Sequence, residues 1–163
     1  MQRRTFLERT LVGGALLALS GCGFRLRGRD AGGPATGAVA LSGPRGELTE
    51  RLAERLRASG TRVDEGAPWV LNLGRETFRE HRLSVLDAGT RELEMQLTVP
   101  FSVQRQADGA YRLPQQTLEV SRRLTVSDDN LLAQEQQREE TRRELRDEAV
   151  RQLLERLRSL DEA

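Results

Sequence analysis

The cleanest pattern in the chain lies in its middle. Leu93, Met95, Leu97, Val99, Phe101 and Val103 alternate with Glu94, Gln96, Thr98, Pro100, Ser102 and Gln104. A period of two puts the first set on a dry face of a strand and the second on a wet face. Pro100 has no N–H, so it predicts a bulge or a position outside the hydrogen-bond ladder. Gln106-Ala107-Asp108-Gly109 follows as a hairpin signal. Tyr111 to Val126 then returns as the partner strand, with Leu118, Val120, Leu124 and Val126 inward. Glu119, Ser121, Arg123 and Thr125 fall on the opposite face, which is polar across both strands.

The period changes on either side of this hairpin. Leu48, Leu52 and Leu56 stand at i, i+4 and i+8 and predict a helix over Glu47 to Ser59, stopped by Gly60. Ala38 to Leu41 is a short strand closed by Ser42-Gly43-Pro44. Trp69 to Leu86 reads as one long strand bent at Gly74, with Trp69, Leu71 and Leu73 on one face. Beyond the bend Glu76, Arg79, Glu80, His81 and Arg82 interrupt the alternation, so that half is solvated, an edge, or partner-facing. Asp87-Ala88-Gly89-Thr90 supplies the turn into the central strand.

Ser127 or Asp128 is expected to cap a last helix that runs to about Leu160. Its halves differ. Leu145, Ala149, Leu153, Leu157 and Leu160 form a core stripe, whereas Gln134 to Arg143 contains no large apolar residue. That polar half reads either as a solvated helix held by pairs such as Glu139–Arg143 or as a surface docking in a wet cavity. The order β-α-β-β-β-α predicts an α+β fold, with two helices packed on one face of a four-stranded mixed sheet.

Ahead of this domain the pattern is that of an address. Arg3 and Arg4 open a basic region, and Leu11 to Leu19 is an apolar run, too short for a bilayer span of about 20 residues but suited to a signal peptide. The start also resembles a twin-arginine signal, and the general secretory route fits a chain with no cofactor to load before export. Leu19-Ser20-Gly21-Cys22 has the form of a bacterial lipobox. On this reading residues 1–21 are removed, 22–37 are a lipidated Cys22 and a flexible tether, and 38–163 are one domain. Several acyl chains on Cys22, a diacylglycerol and an N-acyl chain, would give stable anchoring. Gly23, where Asp commonly retains a lipoprotein in the inner membrane, favours the outer membrane, facing the periplasm.

Charge and chemistry narrow the picture. The net charge is +1, and losing Arg3, Arg4, Arg9 and Glu8 removes +2, leaving about −1. A near-neutral chain argues against general nucleic-acid binding. All 26 cations are Arg, which reflects either a high-GC genome or a use for bidentate phosphate contacts. Cys22 is the single cysteine, so neither an intrachain disulfide nor a thiolate metal cluster can form. His81 is the single histidine and lacks a nucleophile partner or further metal ligands. No phosphate-cradling glycine loop is present. The expectation is no enzyme, no cofactor and no metal.

Taken together, several stretches resemble the LPS-assembly lipoprotein family LptE. Cys22-Gly23-Phe24-Arg25-Leu26-Arg27-Gly28 is similar to the start of its mature members, with Arg25 in place of the usual His. Leu83-Ser84-Val85 through Glu94-Met95-Gln96-Leu97 is similar to its second hairpin. Leu113-Pro114-Gln115-Gln116-Thr117 into Val120-Ser121-Arg122, and Leu131-Leu132-Ala133-Gln134-Glu135, match in order and spacing. The resemblance implies a non-catalytic outer-membrane lipoprotein that plugs and helps assemble the β-barrel protein LptD and assists delivery of lipopolysaccharide to the outer leaflet. It also implies lipopolysaccharide binding through basic residues, at positions that fall on Asp87 and Gln134 here. Arg82 and Arg91, flanking the same turn, are the candidates to supply that charge. The alternative is a lipid-anchored periplasmic adaptor of another envelope complex.

Overall fold

A computed structural model of the chain describes residues 37–85, 90–127 and 130–161. The signal segment, Cys22, most of the tether, Asp87 and Asp128 lie outside them. In chain order the elements are β1 (Ala38–Ser42), α1 (Glu47–Ala58), β2 (Arg62–Val63), β3 (Trp69–Leu73), β4 (Thr77–Val85), β5 (Thr90–Arg105), β6 (Tyr111–Ser127) and α2 (Leu131–Asp161). The α+β class and the mixed sheet are as expected, with β1 parallel to β2 and β3 and the remaining pairs antiparallel.

Among the described residues the sheet has six strands rather than the four expected. One addition is β2, whose Arg62 and Val63 pair beside β1. The other arises because the long strand expected over Trp69 to Leu86 is broken in two. β3 and β4 lie end to end along one edge of β5, since β6 runs beside the other edge from Thr90 to Gln104. The break falls opposite Pro100. Lacking an N–H, Pro100 cannot donate to a neighbouring strand, and its carbonyl instead accepts from Gly74 N at 2.7 Å. A Cβ on Gly74 would sit 2.9 Å from Pro100 Cβ, so only glycine fits this approach.

The alternation in β5 is borne out. Met95, Leu97 and Val99 are fully buried, and Leu93, Phe101 and Val103 nearly so. Leu118, Val120, Leu124 and Val126 of β6 meet them from the next strand. Leu48, Leu52 and Leu56 of α1 and Leu145, Ala149, Leu153 and Leu157 of α2 close the same core. Burying a Leu stabilises by about 1.5–3 kcal/mol, and the fully buried Leu52, Leu56, Leu97, Leu145 and Leu153 tie both helices to the sheet.

The helix ends follow from local chemistry. α1 stops in a Schellman arrangement: Gly60 N donates to Arg57 O and Thr61 N to Leu56 O, both at 3.0 Å, with Gly60 at φ +87°. The start of α2 corrects the expected cap. Asn130 accepts from Ala133 N through its Oδ1 at 3.0 Å, while Ser127 still belongs to β6 and Asp128 lies outside the described residues. Asn satisfies an orphan N–H at this position as well as Ser or Asp does.

Candidate functional site

Residues paired across a sheet share a face, so register decides what the uncovered face presents. Where β4, β5 and β6 lie side by side it carries Thr77, Thr98 and Glu119, then Arg79, Gln96 and Ser121, then His81, Glu94 and Arg123. Gln96 Nε2 donates to Glu119 at 3.3 Å and Ser121 Oγ to Glu94 at 3.2 Å. This is the polar face read from the two strands, now extended by β4. At the β1–β3 end the face changes character: Ala38, Ala40, Ala67 and Val70 form a small buried cluster there.

On the covered face, α2 passes from an apolar to a polar contact with the sheet. Toward its start the buried positions are Gln134 and Thr141. Gln134 Nε2 donates to Ser127 O, and Gln134 Oε1 accepts from Arg138 Nη1 at 3.4 Å. Arg138 in turn pairs with Glu80 of β4 at 3.2 Å. The expected pair along the exposed side is present, Arg143 Nε to Glu139 at 3.4 Å. Gln134 is thus a tie between helix and strand end rather than a side chain turned outward.

Register places Arg82 and Arg91 together. Arg82 lies opposite Leu93, and Arg91 lies between Val85 and Val126. Leu93 and Val126 point into the core, so both arginines are on the helix side of the sheet, near the start of α2. Arg82 is exposed and Arg91 half-buried. Among the described side chains at this end, Leu83 on the neighbouring β4 position and Leu131 and Leu132 at the start of α2 are large apolar groups left to water, with Leu131 77% exposed.

The residue that sequence reasoning missed is Arg146. It pairs with Glu76 at the β3–β4 break at 2.9 Å and with Glu47 at the start of α1 at 2.8 Å. Its guanidinium also lies 5.0 Å from the centre of the Phe78 ring, a cation–π distance. Hydrogen bonding to Glu76, aided by the nearby charges of Glu76 and Glu47, raises its pKa further above the usual arginine value, so Arg146 stays charged wherever the protein is folded. Its partners lie 70 and 99 positions away in sequence, and no local pattern announces such a contact. Arg51 and Asp147 add a second bond between the helices at 2.8 Å. The arrangement is a rigid platform with two polar surfaces, and among the described residues no group of His, Cys, Asp and Glu is placed to hold a metal ion.

Comparison with known proteins places this architecture. A family model described as LptE, lipopolysaccharide-assembly, matches residues 35–157. The LPS-assembly lipoprotein LptE of Pectobacterium atrosepticum is 30% identical, over 99% of this chain and 89% of that protein. Among solved structures, rare lipoprotein B from Shewanella oneidensis superposes with a TM-score of 0.60 at 26% identity, covering 75% of this chain and 94% of that one. Lipoprotein B from Nitrosomonas europaea shares the fold, with a TM-score of 0.64 at 22% identity over 86% of this chain and 91% of that one.

Proposed function

The chain belongs to the LptE family of lipopolysaccharide-assembly lipoproteins, and from that premise we propose that it acts as a plug inside the β-barrel protein LptD. Acyl chains on Cys22 anchor it to the outer membrane from the periplasmic side, and the domain sits in the barrel lumen and assists delivery of lipopolysaccharide to the outer leaflet. It does this by binding and placement, with no catalytic step and no cofactor.

The observation that carries this reading is the pair of polar surfaces on a dry, rigid core. Barrel lumens are polar and water-filled. A plug must therefore present hydrogen-bonding groups outward while keeping its own core closed. The face bearing Arg79, Gln96, Ser121 and Arg123 and the polar first half of α2 meet that requirement. Affinity purification of the native protein from outer membranes in mild detergent should recover LptD. Recovery of the lipoprotein alone would count heavily against the reading.

Lipopolysaccharide itself is proposed to meet Arg82 and Arg91. Its phosphates suit a pair of arginines, and the exposed Leu131 and Leu132 nearby suit its acyl chains. The Arg82→Ala, Arg91→Ala double variant should bind lipopolysaccharide about tenfold or more weakly, at 1.5–3 kcal/mol per charged hydrogen bond, while remaining folded. Unchanged binding by the purified variant would remove both residues from the site.

A further inference from the structure

Arg146 and Arg138 both extend from α2 toward the β4 side of the sheet, and they are held differently. Arg146 is nearly buried and locked between Glu76, Glu47 and the Phe78 ring. Arg138 meets one carboxylate, that of Glu80, at 3.2 Å, with 23% of its own side chain and 34% of Glu80's open to water. It also donates to Gln134 Oε1 at 3.4 Å, and Gln134 is in turn held by Ser127 O. An ion pair this open to water is weak and exchanges readily. Of the two, Arg138 is the cation that can change partners.

Its surroundings say what the second partner is. Glu80 lies opposite Met95 and Arg82 opposite Leu93. Met95 and Leu93 point into the core, so Glu80 and Arg82 share the helix side of β4, about 7 Å apart along the strand. Glu80 thus has one cation beside it on its own strand and another on the helix. A phosphate that reaches Arg82 meets both neighbours at once. The Glu80 charge repels it across that short distance, and the Arg138 guanidinium attracts it. A phosphate monoester carries a charge of about −1.5 to −2 and three acceptor oxygens, against the single charge of Glu80. For a guanidinium fork, which bonds phosphate in a bidentate way, the phosphate is the stronger partner.

We propose that Arg138 is a third cation of the lipopolysaccharide site and that Glu80 is its resident competitor: on binding, the Arg138 guanidinium exchanges the Glu80 carboxylate for a phosphate. This rests on the reading that the phosphates meet Arg82 and Arg91, and it adds a reason for that site to bind moderately. The released Glu80 carboxylate, two residues from Arg82, pushes against the bound phosphate and is ready to take Arg138 back. A component that delivers its cargo thereby keeps a means of letting go.

Titration of lipopolysaccharide onto the purified full chain in detergent, at fixed salt, tests the exchange. Glu80→Gln removes the competitor and should tighten binding about fivefold. The Glu80→Gln, Arg138→Gln double variant keeps the net charge of the wild type but lacks the exchanging cation, and it should bind about threefold more weakly than the wild type. Both side chains are partly open to water, and far-UV circular dichroism checks that each variant is folded. With dephosphorylated lipopolysaccharide the wild type and both variants should bind alike. A double variant as tight as the wild type would mean that the pair only sets the local charge, and it overturns the exchange. An unchanged Glu80→Gln variant, or a difference that survives dephosphorylation, overturns it too. The Arg82→Ala, Arg91→Ala variant, run alongside, separates two failures. If it weakens binding while the Glu80 and Arg138 variants leave it unchanged, the exchange alone falls. If none of the variants changes binding, the assignment of the phosphates to Arg82 and Arg91 falls and takes the exchange with it.

Discussion

The two halves of α2 are equally helical and differently held. Gln, Glu, Arg, Leu and Ala dominate both, and all are strong helix formers. From Leu145 onward the helix buries Leu145, Ala149, Val150, Leu153, Leu154 and Leu157. Before Leu145 it buries Gln134 and Thr141 and reaches the sheet through Arg138 and Glu80. The second half holds the domain together. The first extends a helix of about 46 Å across the sheet with contacts that are individually weak, and it leaves a polar surface standing at a defined angle. Stability and surface presentation are thus assigned to different turns of one element.

That division predicts unequal costs. The largest belongs to Leu153, which is fully buried between α2 and the sheet. Leu153→Ala removes buried methyl groups and leaves a cavity, at about 3 kcal/mol, and should lower the Tm by about 10 °C. A thermal melt showing a shift below about 3 °C would mean that the apolar half is not what anchors the helix.

The junction between the halves comes next. Arg146 is 11% exposed and carries Glu76 and Glu47. Truncation leaves Glu76 partly buried without its cation, whereas Glu47 is half in water and recovers solvent. The expected cost of Arg146→Ala is about 2 kcal/mol, below the 3–5 kcal/mol of a fully buried pair. Urea denaturation reads it directly. A loss under about 0.5 kcal/mol would reduce the cluster to an ordinary surface ion pair.

These two residues also mark where sequence reading succeeds and where it stops. Leu153 was legible because a helix repeats its face every three or four residues, and Leu145, Ala149, Leu153 and Leu157 keep that spacing. The face of β5 was legible for the same kind of reason, with period two. Arg146 was not, because the meaning of a lone arginine on a charged helix depends on which distant carboxylates the topology brings to it. The split of the long strand was half legible. Gly74 marked the bend, but that Pro100 faces it across the sheet is a matter of register. Arg82 and Arg91 were singled out by the turn they flank, and their common face emerged only once β4 and β6 were set against β5. The cap at Asn130 was missed because Ser127, Asp128 and Asn130 are all competent caps by residue type, and β6 extends through Ser127.

The smallest effect sharpens the comparison most. Gln134 is 5% exposed and bonds Ser127 O and Arg138. Gln134→Ala removes a hydrogen bond that contributes about 1 kcal/mol, but the loss falls on turns with little apolar burial. Such turns can open while the core stays closed. Amide exchange should therefore accelerate about fivefold over Leu131 to Glu144 and stay unchanged from Leu145 to Leu157. Uniform acceleration along the whole helix would show that α2 opens as one unit, and the division between an anchoring half and a presenting half would fall. Local acceleration alone would show that the polar half is fixed to the sheet by its own side chains, so that the surface it offers can be altered without touching the core.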